Sequence, residues 1–72
     1  METREFRLND THVRLCDLLK LTGVVDSGAQ GKQLVAEGLV TVDGKPESRK
    51  TAKIRAGQTV ECRGIRLVVS AP

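Results

Sequence analysis

Apolar residues recur with helical spacing near the start of the chain. Between Thr11 and Leu21 they share one face of a helix, at Val13, Leu15, Cys16, Leu18 and Leu19. This spacing predicts a first helix over 11–21. We expect Asp10 or Thr11 to cap its start and Gly23 to lie just beyond its end.

A second helix is predicted over residues 27–37. Ser27 and Gln30 have the spacing of a capping box, in which each side chain satisfies a free backbone N–H at the helix start. Gly28 and Gly31 lie within this helix, where glycine costs up to about 1 kcal/mol relative to alanine. Either the helix packs closely on the first one, or its exposed face lets another backbone approach.

Beyond the second helix the apolar period changes from helical to alternating. Val40 and Val42 fall on one face of a predicted strand, which the turn pair Asp43 and Gly44 follows. Residues 1–10 show no clear period and stay unassigned, as a short edge strand or a segment packed on the body of the protein.

The C-terminal part of the chain predicts a hairpin. Residues 58–62 and 65–69 both alternate between apolar and polar side chains, around a turn at Arg63 and Gly64. The apolar face of this hairpin carries Val60, Cys62, Ile65, Leu67 and Val69.

Two helices followed by strands predict an α+β fold, with the two N-terminal helices packed on a small, mainly antiparallel β-sheet. The chain has 72 residues, which we interpret as one domain over 1–72 with a single core. A domain of this size buries only about 60% of the surface of its unfolded chain, so a large enclosed catalytic cleft is not expected.

Composition limits the cellular compartment and the classes of ligand that we expect for this protein. The chain has no run of about 18 apolar residues and no secretory signal at its polar start, so we expect a cytoplasmic protein without membrane contact. Cys16 and Cys62 lack partners at metal-ligand spacing, so no metal site is expected. One disulfide between them is possible by number, but a reducing compartment favours two buried free thiols. No cofactor is expected. Phe6 is the only aromatic residue, which excludes the stacking platforms of many single-strand binders.

Positive charge is concentrated in one segment. The chain has 12 basic and 9 acidic residues, a net charge of +3. Residues 45–55 contain one acid, Glu47, beside five bases: Lys45, Arg49, Lys50, Lys53 and Arg55. Such a local excess is expected of a surface that contacts phosphates, while a solvated loop is the alternative.

The start of the second helix adds to this basic surface. Lys32 projects from that helix, whose N-terminus at Ser27 offers free N–H groups and a positive dipole end to a phosphate. Gln30 and Gln33 can hydrogen-bond to sugar or base edges. Without aromatic platforms, these groups favour recognition of a structured RNA by its shape, phosphates and 2′-hydroxyls.

Residues from about 14 to 60 resemble the RNA-binding domain named after small-subunit ribosomal protein S-four, also called the alpha-L motif. The matching helical positions are Arg14, Leu15, Ser27, Ala29, Lys32, Gln33, Leu34, Val35 and Gly38. The matching strand and turn positions are Val40, Val42, Asp43, Gly44 and Lys45, followed by the segment 56–60. The pattern is most similar to stand-alone bacterial members, which consist of little except this domain.

The resemblance implies a non-catalytic RNA-binding protein, which we expect to act at the ribosome or in RNA processing. Independently of the resemblance, we expect a monomer. It places Ser27, Lys32, Gln33 and Lys45 on the RNA-facing motif. With the residues of the charged segment and the second helix, the predicted RNA-binding set is Ser27, Gln30, Lys32, Gln33, Lys45, Arg49, Lys50 and Lys53.

Two positions depart from the family pattern. Cys16 stands where the family usually has an aspartate, although Asp17 is adjacent. Gly28 stands where the family often has an arginine that touches RNA, so one expected contact is missing. Arg14 matches the basic start of the first helix but is left out of the predicted RNA-binding set, because Asp17 three residues on can pair with it.

Two other functions fit parts of the sequence. His12 and Cys16 are spaced i, i+4 on the predicted first helix, where an imidazole can activate a thiol. No third catalytic group accompanies them, so no enzyme activity is expected. A protein adaptor would instead dock the basic face on an acidic protein, or pair the strand 65–69 edge to edge.

Overall fold

The computed structural model describes all 72 residues, as two helices and seven strands. In chain order these are β1 (Glu2–Arg7), β2 (Val13–Arg14), α1 (Leu15–Leu21), α2 (Gly28–Ala36), β3 (Thr41–Val42), β4 (Lys45–Pro46), β5 (Lys53–Ile54), β6 (Thr59–Cys62) and β7 (Ile65–Ser70). One sheet has the order β1-β7-β6-β3-β4, and a second pairs β2 with β5. Only β1 and β7 are parallel, which confirms the predicted α+β fold with a mainly antiparallel sheet.

Two tight turns connect the hairpins of the larger sheet. Asp43 and Gly44 join β3 to β4 with φ of 51° and 83°, and Arg63 and Gly64 join β6 to β7 with φ of 54° and 73°. Positive φ at both central residues is typical of the type I′ turn, whose twist matches that of the paired strands. The predicted C-terminal hairpin is confirmed.

Strand β7 lies inside the larger sheet, between β1 and β6. Both of its edges are therefore paired, and the edge-to-edge pairing considered for residues 65–69 is wrong. The two outer strands of this sheet are β1 and β4.

Residues 2–7, which the sequence left unassigned, form β1. Leu8 follows this strand and is buried. Arg4 takes an inward position, where its Nη1 donates to the carbonyl of Thr22 at 2.7 Å. A charged residue at an inward position hid the alternation in the sequence. Because β1 and β2 precede the helices, the prediction that the helices are N-terminal is wrong.

The first helix begins at Leu15 rather than at residue 11. Residues 13–14 pair with β5 instead of joining the helix. The amides of Leu15 and Cys16 donate to the carbonyls of Ala52 and Lys50, at 2.9 and 3.0 Å. A neighbouring backbone thus satisfies the first helical amides, a role that the predicted capping side chain does not fill.

The second helix closely follows its prediction. Ser27 is the N-cap, and its hydroxyl accepts a hydrogen bond from the amide of Gln30 at 3.2 Å. The side-chain carbonyl of Gln30 accepts from the amide of Asp26 at 2.7 Å, one residue earlier than a standard capping box requires. The reciprocal capping predicted from the sequence is present in this shifted form.

The two glycines of α2 have different surroundings. A Cβ added at Gly31 would lie 3.0 Å from the carbonyl oxygen of Cys16 in α1. One added at Gly28 would meet no atom within 4 Å. Close packing of the helices therefore explains Gly31, whereas Gly28 leaves room for another molecule.

One cluster of 15 buried residues joins the helices to the sheet. Its helical members are Leu15, Leu18, Leu19, Leu34 and Val35, and around the larger sheet it includes Val40, Val60, Cys62, Leu67 and Val69. Burying such a side chain stabilises the fold by roughly 1.5–3 kcal/mol. Both cysteines are buried and unpaired, as predicted. Neither helix has the length and apolar character needed to span a membrane.

Candidate nucleic-acid interface

A cleft of about 390 Å³ opens along the charged segment. Its lining consists of Arg49, Thr51, Ala52, Lys53 and Arg55, and we call it the basic cleft. Ala52 and Ile54 are buried in the core, so the alternation of an extended segment directs Lys53 and Arg55 to solvent. Three cationic side chains and no carboxylate line this cleft, a composition suited to an anionic ligand.

Arg49 is held in place by Glu47. Its Nη2 donates to Oε1 at 3.0 Å, and its Nε and backbone amide donate to Oε2 at 3.2 and 3.0 Å. The side-chain hydrogen bonds lower the pKa of Glu47 and raise that of Arg49. Glu47 thus offsets part of the local positive charge while it orients the guanidinium beside the basic cleft.

The smaller sheet places a further cation next to this cleft. Arg14 in β2 lies opposite Lys53 in β5, and side chains at opposed positions share one face with Cβ atoms about 5 Å apart. The Nε of Arg14 lies 2.9 Å from Oδ2 of Asp17. The ion pair expected from the sequence is therefore present, but it does not separate Arg14 from the basic surface.

Arg14 and Arg55 are the two residues of this surface that the predicted RNA-binding set left out. Arg55 lies in the charged segment, and its alternation with the apolar Ile54 was the available signal. For Arg14, only the pairing of β2 with β5 shows that its side chain lies beside Lys53.

The start of α2 lies near the charged segment. A Cβ added at Gly31 would lie 3.5 Å from the Cα of Cys16, and the Cys16 amide nitrogen lies 3.0 Å from the Lys50 carbonyl oxygen. With an N–Cα bond of about 1.5 Å, that Cβ position is within about 8 Å of the Lys50 oxygen. The side chains of Lys32 and Lys50 are both exposed.

Gln30 and Gln33 lie along a different cleft. They line a space of about 150 Å³ together with Leu34, Glu37 and Arg63. The amide nitrogen of Gln33 donates to Glu37 at 3.1 Å. Around the helix axis Gln30 lies about 200° and Gln33 about 100° from Lys32. Neither glutamine therefore shares the face that carries Lys32.

The remaining predicted residues lie outside the basic cleft. Ser27 serves as the N-cap of α2. Lys45 is exposed in β4, across the tight turn from Val42. Lys50 is exposed but does not line the cleft, so the cleft gathers Arg49 and Lys53 from the predicted set.

The considered pairing of His12 with Cys16 does not form. His12 precedes α1, and its Nδ1 lies 3.1 Å from the hydroxyl of Thr11. Cys16 is buried, with its Sγ 3.9 Å from Oδ1 of Asp17. The helical i, i+4 relation on which thiol activation depended is absent, because the helix begins later than predicted.

Comparisons with known sequences agree with the resemblance. A family model described as "S4 domain" matches residues 6–70. Two curated relatives are each 58% identical over 60 residues, which is 83% of this chain and 86% of the relative. They are the "Putative RNA-binding protein YbcJ" of Escherichia coli and the "Uncharacterized protein YbcJ" of Shigella flexneri.

Two solved structures share this fold. The solution structure of YbcJ from E. coli, reported to reveal an alpha-L motif involved in RNA binding, has a TM-score of 0.66 at 54% identity, over 89% of this chain and 85% of that one. The crystal structure of the 30S ribosomal protein S4e from Thermoplasma acidophilum has a TM-score of 0.60 at 29% identity, over 81% of this chain and 31% of that one. The matched family, the shared fold and the extent of the match lead to one conclusion: this chain belongs to the S4 domain family.

Proposed function

We propose that this chain is a cytoplasmic, non-catalytic protein that binds structured RNA through the basic cleft and the nearby start of α2. The observation that carries the proposal is the cleft lining, which presents Arg49, Lys53 and Arg55 without a carboxylate. The RNA-binding descriptions of E. coli YbcJ, at 58% identity, support the same function.

Phosphate contact supplies most of the binding free energy. Lys53 and Arg55 neutralise phosphates and release their counterions. The planar fork of Arg49, already oriented by Glu47, suits bidentate contact with phosphate oxygens. Lys50 extends the surface beyond the cleft.

The start of α2 provides a second group of contacts. The Ser27 hydroxyl accepts from the amide of Gln30, which leaves the amides of Gly28 and Ala29 for a phosphate. Gly28 has open space around it, so an RNA backbone can approach closely. Lys32 is exposed on the same helix and adds its charge.

The ligand is an RNA with helical structure, and we place the protein at the ribosome or in RNA processing. Phe6 lies in β1 and does not line the basic cleft, so bases have no aromatic side chain to stack on there. Lys45 contacts the RNA beyond the basic cleft. Gln30 and Gln33 contact it where it extends over the far side of α2.

The double variant Lys50→Glu, Lys53→Glu tests this surface. Fluorescence anisotropy would measure binding to a labelled hairpin RNA and to an unstructured oligouridine of equal length. We expect the double variant to lose at least about tenfold in hairpin affinity, because attractive phosphate contacts become repulsive. Wild-type affinity should fall with salt, with a log–log slope of about 0.7–0.9 for each phosphate neutralised.

A matched control is Lys20→Glu, Arg7→Glu, which makes the same change in net charge at exposed positions outside the basic cleft. It should retain most of the hairpin affinity, and circular dichroism would check that both double variants fold. Unchanged affinity in Lys50→Glu, Lys53→Glu would show that the proposed surface is wrong. Binding that does not respond to salt would favour the protein-adaptor function instead.

A further inference from the structure

Strand β1 leaves one edge of the five-stranded sheet unpaired. The amides of Glu2 and Leu8 donate to carbonyls at the two ends of β7, at 3.1 and 3.0 Å. Backbone groups alternate in direction along a strand, so those of Thr3, Glu5 and Arg7 point away from β7. Since β1 pairs with β7 and no other strand, these outward groups have no partner within the sheet.

The opposite edge of the sheet is protected. Strand β4 is only two residues long and consists of Lys45 and Pro46. Short length, lysine and proline are the usual features that prevent an edge strand from accepting another chain. Strand β1 has six residues, no lysine, no proline and an uninterrupted register with β7. Its inward Arg4 is a charge of the kind that protects edges, but it is held by Glu2 and by the carbonyl of Thr22. The backbone from Glu5 to Arg7 is therefore the part of this edge open to a further strand.

The side chains of β1 are complementary to a second copy of the same strand. When two copies pair antiparallel about a two-fold axis, the residue on the axis faces itself and its neighbours face each other. With Phe6 on the axis, Glu5 of each copy faces Arg7 of the other. Both residues have outward backbone groups, so each pair adds backbone hydrogen bonds and joins opposite charges on the exposed face.

Other two-fold registers are less favourable. A register centred on Arg4 would place two arginines opposite each other, and one centred on Glu5 would do the same with two glutamates. Like charges at opposed positions destabilise a sheet. A register centred on Thr3 would also oppose unlike charges, Glu2 and Arg4, but these two residues already pair with each other within one copy and Arg4 also donates to Thr22. Glu5 and Arg7 form no ion pair within the chain, so the register centred on Phe6 is the one that gains new opposite-charge pairs.

Phe6 gives this axis an apolar centre. It is half-buried and lines a cleft of about 110 Å³ with Leu8 and Leu21, among others, and Leu21 is 63% exposed. In the register centred on Phe6, the two rings meet at a position without backbone hydrogen bonds, where opposed side chains come closest. Pairing would bury apolar surface that a single copy leaves in water.

We propose that this chain self-associates as a two-fold dimer, by antiparallel pairing of β1 with β1 centred on Phe6. The five-stranded sheets of the two copies then form one continuous sheet. The interface is small, so the dimer is weak and depends on concentration. It replaces the monomer that the sequence favoured, and it does not depend on RNA binding.

Sedimentation velocity from micromolar to millimolar concentration tests the proposal. We expect the wild type to shift from monomer to dimer across this range. Arg7→Glu and Glu5→Arg each place like charges in both cross-strand pairs and should weaken association by about tenfold or more. The double variant Glu5→Arg, Arg7→Glu restores opposite charges and should recover it.

A mixture of the two single variants gives a sharper test, because Glu5→Arg and Arg7→Glu are complementary to each other. The mixture should form dimers at concentrations where neither variant does alone. Lys20→Glu is the matched control, with the same charge change on α1, and should dimerise like the wild type. All these side chains are exposed, and circular dichroism would check folding.

Amide hydrogen exchange locates the interface directly. The amides of Glu5 and Arg7 should exchange more slowly as the wild-type concentration rises, while Arg7→Glu shows no such protection. A protein that stays monomeric at millimolar concentration would overturn the proposal. So would a dimer that Arg7→Glu leaves intact, or one in which these two amides stay unprotected.

Discussion

Arg14 and Lys53 stand opposite each other across the antiparallel pair of β2 and β5. Opposed like charges destabilise a sheet, and of these two cations Asp17 pairs only with the arginine, at 2.9 Å. The fold therefore keeps an uncompensated lysine next to a second cation, at the edge of the basic cleft. A phosphate bound there would relieve the repulsion, which favours a role for Lys53 in binding rather than in stability.

Replacement of Lys53 should separate binding from stability. We expect Lys53→Gln to weaken hairpin RNA binding and to reduce the log–log salt slope by about 0.7–0.9, the loss of one phosphate contact. Its free energy of unfolding, measured with urea, should stay equal or rise by a few tenths of a kcal/mol, roughly the cost of opposed like charges. Lys20→Gln, on the exposed side of α1, is the control, and a loss of more than about 1 kcal/mol in Lys53→Gln would contradict this interpretation.

Two substitutions of Ser27 distinguish capping from RNA contact. Ser27→Ala removes the hydroxyl that accepts from the Gln30 amide and should cost about 1 kcal/mol in unfolding free energy. Ser27→Asp keeps a capping oxygen and should retain stability, yet its negative charge should weaken RNA binding. Urea denaturation measures the stability of both variants, and RNA titration measures their affinity. If both variants lost the same unfolding free energy, Ser27 would not stabilise the protein by capping α2.

The two glycines of α2 should respond in opposite ways to alanine. At Gly31 the added Cβ would meet a backbone oxygen of α1 at 3.0 Å, so Gly31→Ala should destabilise the protein by roughly 1–3 kcal/mol despite the better helix propensity. At Gly28 the added Cβ meets open space, so Gly28→Ala should be neutral or stabilising by up to about 1 kcal/mol. Thermal or urea unfolding compares the stabilities of the two variants. If Gly28→Ala were the less stable of the two, close helix packing at Gly31 would be contradicted.

Stability should fall at alkaline pH because of Cys62. Burial raises the pKa of this thiol above its usual value of 9.0, and the charge of Arg63 opposes the shift only in part. As pH rises past 9.0 the thiol ionises first in the unfolded chain, which then holds fewer protons than the folded one, and the unfolding free energy decreases. Below that pH both states hold a neutral thiol, so the contribution is constant.

Urea unfolding between neutral and alkaline pH measures this effect. Cys62→Ala removes the titrating group and should show a shallower decline above pH 9.0. Only the two slopes are compared, because the substitution also changes packing at every pH. Equal slopes would mean that the buried thiol does not account for the alkaline decline.

The elements predicted correctly depend on neighbours in sequence. The N-cap at Ser27 and the turn at Arg63 and Gly64 act over a few residues, so α2 and the C-terminal hairpin could be located within about two residues. Strands β1 and β2 could not, since their partners β7 and β5 lie at the other end or in the middle of the chain. The pairing of β2 with β5 also explains why α1 begins at Leu15 rather than at the predicted residue 11.

The candidate site divides in the same way. The charged segment is visible in the sequence because its five bases fall within residues 45–55. Lys53 and Arg55 alternate with buried side chains. Nothing local indicates that Arg14 lies opposite Lys53. Nor does spacing along the chain show that Gln30 and Gln33 line a cleft with Arg63.

The sequence by itself determined which residues are basic, which are apolar, and where short-range caps and turns end each element, because these depend on local chemistry. Three features were decided by tertiary structure alone. These are which strand edges are paired, which helix has its first amides hydrogen-bonded to another segment of the backbone, and which cationic side chains line one cleft. Those outcomes come from contacts between distant segments, whose free energy exists only once the core has formed.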